Sequence, residues 1–318
     1  MLPSAPVSAP RRNAFAVGLD LGGTDLKAAR IAADGTVEAF GKRPSRASES
    51  GEGPLEAVAE AVEELTRGRE GDLVGVGLGS PGVIDPESGA LIGSTPHLHH
   101  WGAFPLRERL ARRLGLAVAV DNDANLAALA EHRLGAACGA SVSITLTIGT
   151  GIGAGIVVDG RVLHGAWGGA GEIGHLPLGR GGVSCRCGVP DCVEPEASGS
   201  GLSAQARALG WVPAEARTVF AAAASGDPRA RALLETMADR LGAAIGAAVS
   251  LINPEVVVVG GGVAQAGEAL MVPLRAAVAR YTLATHREGL RVELATLGER
   301  AGVVGAGLLA WERSGAQA

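Results

Sequence analysis

The sequence predicts a two-lobed, internally duplicated α/β fold, and three observations carry that prediction. At 318 residues the chain is longer than one hydrophobic core usually serves, since single cores stop growing near ~250–300 residues. A glycine turn between two apolar runs occurs twice. The first runs from Phe15 to Leu19, through Gly22-Gly23, then Leu26 to Ala33 and Asp34-Gly35. The second runs from Ser141 to Ile148, through Gly149, Gly151 and Gly153, and ends at Asp159-Gly160. The two units lie about 125 residues apart, which suggests one strand–turn–strand unit per lobe. Elsewhere, short apolar runs of strand length alternate with segments of helical periodicity. The expected organisation is a disordered tail over residues 1–13, a small lobe over 14–121 plus 302–318, and a large lobe over 122–301.

Each element has its own warrant. Taken alone, the Gly22-Gly23 segment reads equally well as an ordinary hairpin, with Asp34-Gly35 as a second turn; the repetition favours a pair of facing turns able to clamp phosphate. Leu55, Val58, Val62 and Leu65 recur at helical spacing and predict a helix over 54–67. Leu73 to Leu78 is a buried strand running into G-L-G-S-P-G-V-I-D, residues 77–85, where glycine and proline force a tight turn. Leu106 to Leu114 is an amphipathic helix. Ala117 to Val120 is a short strand that delivers Asp121-Asn122-Asp123-Ala124-Asn125 at its carboxyl end. Ligands of open α/β sheets bind at such ends, so two carboxylates and two amides there suggest a site. A helix N-cap before the helical stretch Leu126 to Leu134 is the simpler reading, but a cap uses only one of these side chains.

Farther along, helices are expected over 202–209, 214–224 and 228–252, the last stopped by Asn253-Pro254. The unbroken β-branched run Val256 to Val259 reads as a fully buried strand. Gly260-Gly261-Gly262 after it is either a backbone approach to a nucleotide or a plain strand-to-helix turn. Gly302 to Trp311 is a small-residue helix able to pack closely.

Composition excludes several function classes. The net charge is −5, and no run of Lys or Arg exceeds a pair, so the basic stripe of a nucleic-acid binder is missing. The longest apolar stretch, 241–262, is interrupted by Asn253, Pro254 and Glu255, so no membrane span is expected. The first residues carry no apolar core of a signal peptide, and a reducing cytoplasm fits the cysteine usage best. No G-x-x-x-x-G-K-[ST] occurs, and no G-x-G-x-x-G stands between a strand and a helix, which argues against P-loop and Rossmann folds.

Chemistry concentrates between Thr145 and Glu196. His175, Cys185, Cys187 and Cys192, with C-x-C-x4-C spacing, form a complete tetrahedral donor set for Zn2+. Four protein ligands leave no open position, so the expected zinc is structural. Their neighbours Arg186, Gly188, Pro190 and Asp191 are turn residues, which disfavours cysteines as core packing; Cys138, outside the set, is expected to be packed. The loop would hold Glu172 and Glu194, and carboxylates on a rigid support suit adjacent hydroxyls, each accepting two hydrogen bonds. A polyol ligand follows.

Together these segments resemble the ROK family of repressors and sugar kinases within the actin-like, hexokinase-like ATPase superfamily. The resemblance rests on D-L-G-G-T-D-L-K at 20–27, G-x-G-x-P-G-x-x-D at 77–85, N-D-A-N at 122–125, the segment Thr147 to His175, C-x-C-G at 185–188, N-P-E-x-x-V-x-G-G at 253–261 and A-G-x-x-G-A at 301–306. Seven motifs in order are specific where any one is weak. The resemblance implies a duplicated, ribonuclease H-like ATPase fold with a central cleft and a structural zinc loop, and a homodimer. It implies ATP-dependent phosphorylation of a hexose, most commonly glucose at its 6-hydroxyl, with N-acetylmannosamine, N-acetylglucosamine, mannose or fructose as alternatives.

By the same resemblance Asp123 is the catalytic base and Asp20 lies near the Mg2+ that bridges the phosphates. Gly22, Gly23, Thr24 and Asp25, with Gly149, Thr150, Gly151 and Gly153, hold the phosphates of ATP, and Gly260, Gly261 and Gly262 lie along the adenosine. Ser80, Pro81, Asn122, Asp123, Glu172, His175 and Glu194 fall on sugar-binding positions, His175 serving zinc and sugar through different ring nitrogens. Two departures stand out: His97 where the family often has Asn, and Asp191 where it often has Gly. His97, His99 and His100 read as a solvated loop before a second metal site. A sugar-responsive repressor would carry a DNA-binding segment before the first strand; only a Pro- and Ala-rich stretch is found there, so that reading is not expected.

Overall fold

The computed structural model describes residues 13–49, 51–93, 95, 98, 100–181 and 183–315. Residues 1–12 of the expected tail, and His97 and His99, lie outside that set; His100 is exposed. The described chain forms two compact units. One holds the residues up to Ala130, His164–Gly169, and those from Arg300 onward; the other holds Glu131–Leu163 and Ala170–Glu299. The break expected at 121/122 therefore falls at 130/131, inside a helix, and a short excursion of six residues rejoins the first unit.

The first unit begins with β1 (Phe15–Leu21), β2 (Asp25–Ile31) and β3 (Val37–Pro44), an antiparallel run. Helix α1 (Gly53–Thr66) leads to β4 (Leu73–Ser80), which pairs with β1 in parallel. A small hairpin, β5 (Val83–Ile84) with β6 (Leu91–Ile92), precedes α2 (Leu106–Leu114). Strand β7 (Val118–Asn122) completes the sheet parallel to β4, in the order β3-β2-β1-β4-β7, and runs directly into α3 (Asp123–Leu134).

Period-two alternation explains the two faces of this sheet. Phe15, Val17, Leu19 and Leu21 of β1, with Val76 and Leu78 of β4, pack against Val58 and Val62 of α1 and Leu106 and Leu110 of α2. The intervening positions are small: Ala16 and Gly18 on β1, Gly75 and Gly77 on β4. They admit a helix backbone, as described below.

The second unit repeats the topology. Strands β8 (Val142–Ile148), β9 (Ile152–Val158) and β10 (Arg161–Val162) form its antiparallel run. Helices α4 (Glu194–Ala197), α5 (Gly199–Ala208), α6 (Ala216–Ala224) and α7 (Pro228–Ile252) follow. Strand β11 (Val256–Gly260) pairs in parallel with β8; α8 (Glu268–Tyr281) and α9 (Ala284–Arg287) lead to β12 (Arg291–Leu294), parallel to β11. The order is β10-β9-β8-β11-β12. Ile144, Leu146, Ile148, Val257 and Val259 share a core with α7 and α8, among them Leu241, Ile245 and Leu274. Asp227 caps α7 by accepting from the Arg229 and Ala230 amides, and Asn253, at φ 51, ends it in the left-handed conformation.

The last helix, α10 (Ala301–Ser314), returns to the first unit and covers the small-residue face of its sheet. A Cβ on Gly77 would lie 1.8 Å from the Ala306 carbonyl oxygen, and one on Gly305 would lie 1.9 Å from that of Leu126 in α3. Both sites demand glycine because backbone occupies the space. Trp311 Nε1 donates to the Ile31 carbonyl at 3.0 Å and fixes the far end. Among the described residues no helix is long and apolar enough to cross a membrane. Cys138, expected to be packed, is exposed; it follows α3 in a surface turn.

Candidate active site

In the first unit three parallel neighbours end together. Asp20 of β1 is opposite Gly79 of β4, and Ser80 of β4 is opposite Asn122 of β7. Asp20 pairs with Lys27 across the β1–β2 hairpin at 2.9 Å. Gly302 permits this, since a Cβ there would come within 2.8 Å of the Asp20 carboxylate. The turn between the strands is Gly22-Gly23-Thr24, closed by Gly22 N–H donating to the Asp25 carbonyl at 2.8 Å; Asp25 itself opens β2 and pairs with Lys42.

Ser80 is fully buried, and its hydroxyl donates to the Pro81 carbonyl at 3.2 Å. Asn122 does two jobs. Its Nδ2 donates to the Gly82 carbonyl at 3.0 Å, and its Oδ1 accepts from the Ala124 and Asn125 amides at 2.9 and 3.2 Å. The cap predicted from the sequence is thus Asn122, worth about 1 kcal/mol, and it leaves Asp123 as the first residue of α3, where the helix dipole favours a carboxylate.

In the second unit, the β8–β9 turn is Gly149-Thr150-Gly151, closed by Gly149 N–H to the Gly151 carbonyl at 2.9 Å. Gly153 lies within β9, opposite Thr147, and outside the turn; the hydrogen-bonded ladder continues closer to the turn than the glycine spacing suggested. Glu194, at the start of α4, reaches this turn. Its Oε2 accepts from the Ile152 amide at 2.8 Å and fills the space a Cβ on Gly151 would need, 2.4 Å away. Gly199 N–H donates to the Gly149 carbonyl at 2.8 Å, and the Ser200 hydroxyl donates to the Thr150 backbone carbonyl. After β11, Gly261 at φ 85 brings its α-carbon against Ile148, where a Cβ would be 2.4 Å from a carbonyl oxygen, and Gly262 starts a single 3-10 turn rather than a long helix.

Glu172 stands beside these groups. Burial raises its carboxyl above the ordinary range; His175 opposes the shift and Glu194 reinforces it. His175 Nε2 is 3.8 Å from the Glu172 carboxylate, while its Nδ1 faces Cys185 Sγ at 3.6 Å. Cys187 and Cys192 sulfurs are 3.5 Å apart, and one donor atom from each of the four residues lies within 4.8 Å of the others. A tetrahedron with Zn–S bonds near 2.3 Å has sulfur–sulfur edges of about 3.8 Å, so the set has a metal-sized spacing. Burial, then the neighbouring thiols, push Cys192 up to about 12. Bringing all three to the thiolate form at this spacing would take a cation among them. The loop is tied by a Ser184–Pro190 bridge. Asp191, noted above as a departure from the resembled pattern, has φ 54, a left-handed conformation that Asp tolerates better than most residues.

Sequence reasoning missed His164 as a partner of this region. Its Nε2 donates to Asp121 at 2.7 Å, a contact between residues 43 positions apart that no local pattern reveals. Asp121 was visible only as one member of D-N-D-A-N. Glu196 was missed as well: Arg240 and the amides of Arg180 and Gly181 bind its carboxylate.

The comparisons with known proteins agree on one family. The ROK family model matches residues 16–313. A glucokinase of Halalkalibacterium halodurans is 36% identical over 316 residues, covering 92% of this chain and 94% of that protein. Among solved structures, a ROK family glucokinase from Streptomyces griseus, in complex with glucose and AMPPNP, superposes with a TM-score of 0.82 at 32% identity, covering 94% and 99% of the two chains. A ROK hexokinase from Thermus thermophilus gives 0.80 at 38% identity, covering 94% and 98%.

Proposed function

The chain belongs to the ROK family, and on that premise we propose that it is an ATP-dependent hexose kinase that phosphorylates the 6-hydroxyl of glucose, with Asp123 as general base. The observation that carries the reading is the placement of Asp123 directly after a capping Asn122, at the carboxyl end of a parallel strand separated from the Asp20 strand by β4 alone. Phosphoryl transfer needs little covalent help from a protein; it needs an aligned nucleophile and neutralised charge. Asp123 accepts the proton of the attacking hydroxyl and so orients it.

The work divides between the units. The first supplies Asp123, Asn122 and Asp20, and the Gly22–Thr24 turn. The second supplies Glu172 and His175 for the sugar and the Gly149–Gly151 turn for phosphate. Glu194, bound to the Ile152 amide, sets that turn and lies close enough to Glu172 to raise its pKa. Gly261 and Gly262, exposed after the buried Gly260, offer backbone for adenosine. Asp20, given room by Gly302 and paired with Lys27, is the carboxylate that would lie near Mg2+, an ion that would supply charge neutralisation for the phosphates. The four-residue Cys and His set fits a structural Zn2+, taking the Nδ1 atom of His175 and leaving Nε2 toward Glu172.

Asp123→Asn tests the reading. Turnover is expected to fall about 10²–10⁴-fold while glucose affinity, followed in parallel by calorimetry, is retained. Near-wild-type turnover would sink the assignment.

A further inference from the structure

Asp121 is a member of D-N-D-A-N to which the kinase reading gives no task, yet its carboxylate accepts hydrogen bonds from three different residues. It is 5% exposed. Its Oδ1 accepts from the Asn122 amide at 2.7 Å and from Asn125 Nδ2 at 3.0 Å; its Oδ2 accepts from His164 Nε2 at 2.7 Å. Asn122 in turn caps α3, whose first residue is Asp123. One carboxylate therefore holds the peptide next to the base, the side chain four residues on, and a histidine from a distant segment.

That segment is itself fixed. His164–Gly169 belongs to the first unit although the residues on either side belong to the second. Gly168, at φ 80, lies against β5, where a Cβ would be 2.1 Å from the Ile84 carbonyl oxygen. A buried carboxylate costs free energy unless it is paired, and a charge-assisted bond of 2.7 Å is a strong way to pair it. The charged groups facing His164 are Asp121, which attracts, and Arg313 of α10, which repels; the bond to Asp121 dominates and holds the imidazole above its ordinary value.

We infer that His164 is a positioning residue for phosphoryl transfer: through Asp121 it fixes the Asn122 peptide and the start of α3, and so the direction in which Asp123 meets the attacking hydroxyl. It makes no contact with the reacting atoms. The inference rests on the kinase reading above. Its distinguishing property is that it depends on a donor at the position of Nε2 and not on ring volume. Phenylalanine keeps the ring and lacks the donor; glutamine places an amide nitrogen near the same point.

The test compares wild type, His164→Phe and His164→Gln at saturating ATP and glucose, with glucose Kd measured separately. His164→Phe is expected to lower kcat roughly tenfold or more, since an ångström-scale misplacement is enough, with Kd changed less than about threefold. His164→Gln is expected to recover most of that loss. Equal kcat for the two variants, whether both high or both low, overturns the inference. If His164→Phe does not fold, His164→Leu takes its place with the same expectation. Failure of the premise looks different: the wild type itself would then transfer no phosphate to any hexose, and the inference would fall with it.

Discussion

Each unit is built on its own five-stranded sheet of the same topology, three antiparallel strands followed by two parallel ones, yet the second faces of the two sheets are finished in opposite ways. In the first unit, glycines on β1 and β4 let the backbone of α10 touch the sheet. In the second, β8 presents Ser143 and Thr145, both buried, and His132 meets the Ser143 hydroxyl at 3.1 Å. There the buried carboxylate of Glu131 also gathers the amides of Ala136 and Leu297. Topology was duplicated; packing and chemistry were not. The first unit relies on close backbone contact and carries the proposed base, while the second relies on polar side chains and a cysteine loop and carries the proposed sugar ligands.

The contrast can be broken at its strongest point first. Cys187→Ala, or stripping metal with a chelator, should destabilise the second unit, lowering its melting temperature by roughly 5–15 °C. Amide exchange in β1 and β4 should stay slow while that in 176–197 becomes fast; uniform loss of protection across both units would contradict the division. Next comes Gly305→Ala, expected to cost the first unit about 3 kcal/mol in chemical denaturation, because its methyl would meet a backbone oxygen that cannot retreat. Ser143→Ala, on the corresponding face of the second unit, removes one hydrogen bond and should cost only about 1 kcal/mol. A ranking of these two in the other order would refute the account of how each face is packed.

The smallest effect is the dependence on pH, and its sign differs between the units. Burial, aided by Arg133, lowers the His132 pKa against the pull of Glu255. The folded state resists a proton that the unfolded chain accepts, so stability is complete above the ordinary value of 6.5 and drains away as pH falls through the lowered folded value. His164 is raised by Asp121. Its contribution is complete below 6.5 and is lost as pH rises through the raised folded value. In thermal melts across pH 5–9, His132→Gln should flatten the acid side and His164→Gln the alkaline side. The same side flattening in both variants would show that one assignment is reversed.

Much of the fold was legible because its signals are local. Helices α2 and α7 fall where periodicity and Asn253-Pro254 predict them, and β1, β4, β8 and β11 are apolar runs. Strand β3 was not, since its exposed residues alternate poorly. Nor was α8, which carries Pro273 in its interior, nor β12, four residues with two charges. Asn122 and Asp123 could be singled out because N-D-A-N stands at a strand end. The bond from His164 to Asp121 could not, because a histidine in L-H-G has no local pattern and its partner is supplied by tertiary structure. The placement of Gly153 in β9 has the same origin: strand pairing, not glycine spacing, decides where a turn begins.

The most direct test is to incubate the purified chain with ATP, Mg2+ and, separately, glucose, mannose, fructose, N-acetylglucosamine or N-acetylmannosamine, and to follow products by phosphorus NMR. The account predicts a new phosphomonoester signal, fastest with glucose and assigned to its 6-position, with little ATP consumed when sugar is left out. ATP hydrolysis indifferent to sugar, or no phosphoester with any of the five, would contradict it.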